Sequence, residues 1–501
     1  MQLDGLAEAF TISNILYITF GIILGYIVGA IPGLGKVTAA AIAIPLTFYM
    51  NPVSAIAFLV GISKGSTSGN AVSAILINTP GEPSSVPTAL DGYPLAKQGK
   101  GKKALKVGLY ASTIGDFVAT VALILLTPPL AALALQIGRV ELAAILLFAL
   151  TFIAALSGKS MAKGLISGLI GLLLATIGIE LETGLPRMTF GYLKLYDGLN
   201  LVPMAIGMVA IAEMLVQLEE FQKSKGQEAI IESDIDPDAS RVTGEDWRIM
   251  TPSIIRGTLI GTFIGILPGL GASIASFGSY GLAQRFSKTP ELFGKGNIEG
   301  VAAAESADNA VIPSSLIPLF SLGIPGSAIA AVLAAGFAIH GIIPGPLMLR
   351  DNPEFMVGVY GSMLIASVVM LIVGYVGLNY FIKVVNIHIR FLLPAVFFFS
   401  IMGSFLEGGG RFGVYIMIIF GLFGYFVKKL DYSFVTFLIG FIIGPEFELA
   451  LRQAIIITRG ENLLQFPIAI GFVALTIIVI IWMAIGNQVR SLFKGNSQAT
   501  G

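Results

Sequence analysis

Small hydroxyl and amide side chains gather at two places in this chain, each beside a Pro-Gly pair. Ser66, Thr67, Ser68, Asn70, Asn78 and Thr79 precede Pro80-Gly81, while Ser306, Asn309, Ser314, Ser315 and Ser327 surround Pro325-Gly326. Such groups hydrogen-bond an oxyanion or coordinate a desolvated cation through oxygen. Taken singly, each also serves as ordinary glue between membrane helices. Paired beside matched helix breaks, they point to a ligand site.

Ionisable groups stand close by. Lys64 directly precedes the first cluster, and it offsets an anionic substrate, stands in for a bound cation or snorkels to an interface. Glu82, Glu305 and Asp308, with Ser306 between the last two, are candidates for proton or cation coupling, because a charge at membrane depth is usually functional. Asp91 is a weaker candidate, since the pair Asp91-Gly92 favours a solvated turn. Asp116 and Glu141 receive no role.

The surrounding chain explains why depth matters. Over 501 residues, 55% are hydrophobic and 12% charged, with 60 glycines; soluble domains carry about 25% charged residues. This is an all-α polytopic membrane protein. Net charge is zero, which leaves nucleic acid no electrostatic footprint. The absence of cysteine excludes disulfides and thiolate chemistry. Two histidines, His340 and His388, do not make a metal site, so neither a metal nor an organic cofactor is expected. The apolar run that ends near residue 31 lacks a basic leader and reads as a retained helix, not a signal peptide. Residues 65 to 83, rich in Ser, Thr, Asn, Gly and Pro, disfavour a regular lipid-facing helix.

An internal repeat sets the architecture. GYIVGAIPGLG at 25 to 35 recurs as GTFIGILPGLG at 261 to 271, Asn70-Ala71-Val72 as Asn309-Ala310-Val311, and Pro80-Gly81 as Pro325-Gly326. A period this long means a duplicated domain. The chain divides into residues 1–11, a first membrane repeat 12–218, a charged cytoplasmic linker 219–250, a second repeat 251–487 and a cytoplasmic tail 488–501.

Basic residues swap between equivalent loops. Lys97, Lys100, Lys102, Lys103 and Lys106 follow the first Pro-Gly pair, where the second half offers Arg350 beside Asp351. After the other motif the first half is uncharged and the second carries Arg285, Lys288 and Lys295. The halves are therefore expected to be inverted repeats, with about twelve to fifteen membrane segments of roughly 20 residues, N-terminus outside and C-terminus cytoplasmic. Inversion sets equivalent broken helices face to face at the midplane, where their N-termini suit carboxylates.

The residues also carry a family likeness. PGLG at 32 to 35, AILINTPGEPSSVPTALDGYPLA at 74 to 96, PGLGASIASF at 268 to 277, FGKGNIEGVAAAESADNA at 293 to 310, LGIPGSA at 322 to 328 and HGIIPGP at 340 to 346 resemble the large membrane subunit of the tripartite tricarboxylate transporter (TctA) family over nearly the full length. The resemblance implies import of small carboxylates such as citrate across the prokaryotic cytoplasmic (inner) membrane. It also implies a periplasmic solute-binding protein (TctC-like), a small membrane subunit (TctB-like) and an ion gradient. It maps the substrate region onto Asn78-Thr79-Pro80-Gly81-Glu82-Pro83 and Gly323-Ile324-Pro325-Gly326-Ser327.

The resulting expectation is a secondary transporter of elevator type, coupled to Na+ or H+, a candidate homo-oligomer, and not an enzyme. A rocking bundle is the mechanistic alternative, and an uncoupled uniporter or channel the functional one. An intramembrane enzyme using Lys64 and Ser66 is disfavoured, because a spacing of two residues sets them on different helix faces.

Overall fold

Left-handed residues end two of the helices, Pro52–Ile77 at Asn78 and Leu316–Leu322 at Gly323. The computed structural model describes residues 2–31, 34–156, 160–180, 184–223, 240–384, 389–459 and 463–481. Its first ten helices are α1 (Gln2–Ala9), α2 (Ile12–Ala30), α3 (Lys36–Ala43), α4 (Pro52–Ile77), α5 (Val86–Leu95), α6 (Gly101–Ala134), α7 (Arg139–Leu156), α8 (Met161–Ala175), α9 (Leu201–Ile206) and α10 (Ala212–Lys223). The chain continues through α11 (Gly244–Ile266), α12 (Gly271–Phe286), α13 (Ile298–Ser314), α14 (Leu316–Leu322), α15 (Ala328–Ile339), α16 (Pro346–Asp351), α17 (Pro353–Val384), α18 (Ile389–Glu407), α19 (Arg411–Lys429) and α20 (Phe434–Ile457). Two-residue strands, β1 (Gly178–Ile179) and β2 (Pro186–Arg187), pair antiparallel. Among the described residues, seven helical stretches are long and apolar enough to cross a membrane, and five shorter apolar helices accompany them. The all-helical polytopic architecture is thus present. Residues 224–239 of the expected linker, the expected tail, Pro32, Gly33 and His388 lie outside the described residues.

Two expectations about local structure need revision. Helix α4 runs unbroken through the polar stretch from Gly65 to Ile77 and stops only at Asn78. Every residue from Val53 to Leu76 is buried, so this helix faces protein and not lipid, and packing overrides the weak propensities of its Ser, Thr and Gly residues. Likewise Lys97 to Lys106 do not form a loop. They span a π-helical turn, Ala96–Lys100, and the start of α6, kinked where Gly99 adopts φ 77°.

The packing of α4 depends on missing side chains. Gly21, Gly25 and Gly29 of α2 and Gly61, Gly65 and Gly69 of α4, each set four residues apart, face the main chain of the other helix. A methyl on Gly25 would collide with the Ile62 carbonyl oxygen, and one on Gly65 with that of Ile22. Small residues at this spacing let backbones touch, which is how helices associate where lipid gives no hydrophobic drive. The second half repeats the device. Gly257, Gly261 and Gly265 of α11 lie against α13, and a methyl on Gly261 would strike the Ala307 carbonyl oxygen.

The chain forms two compact units, Met1–Ala132 with Asn200–Tyr425, and Leu133–Leu199 with Phe426–Gly501. Each is discontinuous and draws on both sequence halves. The larger unit contains both Pro-Gly segments. In the smaller, Gly171 of α8 abuts the Phe437 carbonyl of α20, and Arg187 of β2 makes a bidentate pair with Glu448 at 2.5 and 3.1 Å.

Candidate functional site

Both Pro-Gly turns begin the same way. Helix α4 ends on Asn78 in the left-handed conformation, φ 54°, and α14 ends on Gly323, φ 75°. Pro80-Gly81 and Pro325-Gly326 each follow two residues later. Asparagine is one of the few side-chain-bearing residues that visits this region, and glycine does so freely. Asn78→Gly should therefore leave the thermal midpoint unchanged, whereas Asn78→Ala should cost about 1–2 kcal/mol. Uptake lost in the glycine variant despite an unchanged midpoint would assign the amide to the ligand.

Each turn is held by the Pro-Gly-Leu-Gly segment of its own half. The Lys36 main-chain N–H, just after Gly35, donates to Glu82 Oε1 at 2.7 Å. In the second half the Gly269 N–H donates to the Gly326 carbonyl at 3.1 Å, and the Gly326 N–H to the Ser315 carbonyl at 3.3 Å. Asn70, with its amide oriented by its neighbours, donates to the carbonyls of Gly29 and Leu34 at 2.8 and 3.2 Å. It braces this junction from α4.

Electrostatics centre on Lys36. Its ammonium lies 2.8 Å from Glu82 Oε2 and 3.2 Å from Asp308 Oδ1, joining the first Pro-Gly turn to α13 of the second half. One helical turn before Asp308, Glu305 accepts from Thr88 at 2.6 Å and from Ser112 at 2.9 Å. Asn309 donates to Ser112 Oγ at 2.8 Å and to the Glu305 carbonyl at 3.0 Å, and Ser68 reaches Asn309 Oδ1 at 3.5 Å. One ammonium thus contacts two buried or nearly buried carboxyl groups, with a third, that of Glu305, one turn along α13. The Ser84 hydroxyl, on the turn after Glu82, is directed at the Asp308 carboxyl, and the neighbouring Ser85 hydroxyl is buried without a hydrogen-bond partner. Orphaned buried oxygens are costly and rare.

Of the residues singled out by sequence, Ser68, Asn70, Glu82, Glu305, Asp308 and Asn309 come together here. Others turn to their own helices. Thr67 donates to the Ser63 carbonyl, Ser306 to that of Ala303 and Ser314 to that of Ala310. Ser66 Oγ is buried and unpartnered. Asn78 and Thr79 lie at the surface of the turn, and Thr79 Oγ1 donates to the Ile77 carbonyl. Ser327 caps α15 and donates to Ser315 Oγ at 2.9 Å. Among the described residues no hydrogen bond links the two Pro-Gly turns to one another; within this cluster the halves are joined through α13.

Asp91 is not solvated. It is buried and accepts from the main chain of Gly296 and Asn297 and from the Tyr280 hydroxyl, at 2.8 to 2.9 Å, fastening α5 to the start of α13. Lys64 does not snorkel, because its side chain has no exposure at all. His340, at the end of α15, is half-buried, and desolvation holds its imidazole below the usual range. Five contributors escaped the sequence reading: Lys36, Ser84, Ser85, Thr88 and Ser112. A signal existed for Ser112, since Ser112, Asp116 and Thr120 make a polar stripe at intervals of four along an apolar helix.

Comparison with known proteins places this geometry. The model of the tripartite tricarboxylate transporter TctA family matches residues 15–439. The chain belongs to the TctA family. It is 36% identical over 494 residues, 97% of its length and 96% of the relative's, to an uncharacterized 52.8 kDa protein in the TAR-I ttuC′ 3′ region of Agrobacterium vitis. It is also 36% identical over 233 residues, 46% of its own length, to an uncharacterized protein in the TAR-II ttuC′ 3′ region of the same organism, of which 96% is covered. No solved structure matches. Membership in the TctA family makes the chain a multi-pass membrane component of a tricarboxylate transporter and not an enzyme, as the sequence motifs imply.

Proposed function

We propose that this chain is the large subunit of a binding-protein-dependent importer of small di- or tricarboxylates, energised by a Na+ or H+ gradient. The observation that carries the ion-coupled reading is the cluster of Lys36, Glu82, Glu305 and Asp308 at the junction of the two halves. Three carboxyl groups beside one ammonium at membrane depth need further positive charge, and a sodium ion or a proton supplies it. The Asp308 carboxyl and the buried hydroxyls of Ser84 and Ser85 are oxygen ligands of the right kind.

The carboxylate itself is read at the Pro-Gly turns, through Asn78, Thr79, Pro80 and Gly81 from one half and Ser315, Pro325, Gly326 and Ser327 from the other. An elevator movement is favoured over a rocking bundle because both turns belong to one compact unit, and a movement that carries them together does not have to part them. The halves run in opposite senses, with the N-terminus outside and the C-terminus in the cytoplasm of a prokaryotic inner membrane. A periplasmic binding protein delivers substrate, and a small membrane subunit completes the assembly.

Uptake of labelled di- and tricarboxylates into proteoliposomes, under imposed sodium or proton gradients and with or without a binding protein, tests the whole reading. Accumulation that needs both gradient and binding protein supports it, whereas gradient-independent equilibration favours a uniporter or channel. Asn309→Ala removes the donor that ties Ser112 to the Glu305 main chain and is expected to abolish accumulation while membrane insertion persists. Full activity in that variant would take α13 out of the site.

A further inference from the structure

Lys64 lies midway along α4, apart from the cluster around Lys36, and its ammonium is enclosed by oxygen from two further helices. Asp116 Oδ2 of α6 stands 2.7 Å from Nζ, the Met363 carbonyl oxygen of α17 2.7 Å, Ser367 Oγ of α17 3.0 Å and Thr120 Oγ1 of α6 3.5 Å. The two hydroxyls do not point their protons at the nitrogen. Thr120 donates to the Asp116 carbonyl at 2.8 Å, and Ser367 donates to Asp116 Oδ2 at 2.6 Å. Every neighbour therefore turns lone pairs toward one centre. An ion pair needs only the carboxylate. A carboxylate, a main-chain carbonyl and two hydroxyls, each oriented as an acceptor, form the oxygen set that takes a hard cation. Asp116 Oδ1 is buried and has no partner, so the carboxylate retains capacity for a second oxygen contact.

We propose that this centre is a monovalent-cation site that the chain fills with its own ammonium. One positive charge is then a permanent part of the protein and not a co-transported ion, and α4, α6 and α17 are tied together in every cation medium. The inference rests on the cage around Nζ alone and stands whether or not the carboxylate reading is correct.

Replacing Lys64 by a small residue should turn the cage into a site for free cations. The full-length chain, its Lys64→Ser variant and the double variant Lys64→Ser with Asp116→Asn would be purified in detergent. Each would be melted in choline, sodium, lithium and methylammonium chlorides at constant ionic strength. Lys64→Ser is expected to gain at least about 3 °C from sodium, lithium or methylammonium beyond any shift in the unaltered chain, saturably, by mass action. The double variant should lose that gain. Overturning results are a midpoint for Lys64→Ser as indifferent to these cations as in choline, or a gain that survives Asp116→Asn, which would leave Lys64 and Asp116 as a structural ion pair only. Failure to recover Lys64→Ser in any of the cation media would overturn the proposal equally, because a cation site would have been refilled.

Discussion

Lys36→Met is expected to abolish gradient-driven accumulation and to lower the thermal midpoint sharply. The substitution keeps an unbranched side chain, one atom shorter, and removes the charge that Glu82 and Asp308 share. Deleting one partner of a buried ion pair costs about 3–5 kcal/mol, because the remaining charge is left uncompensated. Here two carboxylates lose it at once. A second change, Asp308→Asn, should recover part of the stability while accumulation stays lost. Melting in detergent reads the first effect and proteoliposome uptake the second. Wild-type accumulation by Lys36→Met would separate the cluster from the transport path. Recovery of accumulation together with stability in the double variant would make Lys36 a structural residue only.

The other large effect belongs to the seam between α2 and α4. A side chain on Gly29 would run into the Ser66 carbonyl oxygen, which is backbone and cannot rotate aside. Gly29→Val should therefore cost at least the roughly 1–3 kcal/mol typical of overpacking and remove most correctly folded protein from the membrane. Gly261→Val should do the same through the Ala307 carbonyl in the second half. Gly278→Ala is the control of opposite sign. Nothing lies within 4 Å of a methyl there, and alanine improves a helix interior by about 0.5–1 kcal/mol. Fluorescence-detected size exclusion with a thermal ramp would rank the three. A folded Gly29→Val with a normal midpoint would mean that the seam tolerates separation.

Much of this arrangement was legible in the sequence because its signals are local. A Pro-Gly pair just after Asn78 or Gly323 announces a helix end whatever packs around it. The shared spacing of Gly25, Gly29, Gly261 and Gly265 announces equivalent helix contacts. Tertiary partnership is not local. Lys36 is a lone basic residue between apolar runs, with Ala272 at the equivalent position, and only folding brings Asp308 to it from 272 positions away. A separation of 52 positions likewise hid Asp116 behind Lys64. Hydroxyl chemistry was legible only as a group, because whether Thr67 bonds its own helix or Ser68 reaches across to Asn309 depends on which helix face meets a neighbour. The compact units were hidden for a related reason. Duplication divides the chain into consecutive halves, whereas packing joins stretches from both.

The seam of six glycines has a mechanical corollary. Two helices that mesh backbone to backbone at every fourth residue behave like a pair of racks, since a small slide would bring Ile62 or Ser66 against the opposing main chain before the next glycine arrived. The nearest alternative register is four residues along, about 6 Å. Gradual sliding along this seam is forbidden, so α2 and the polar half of α4 must travel as a single rod, and whatever bends during a transport cycle has to bend at the turns where that rod ends.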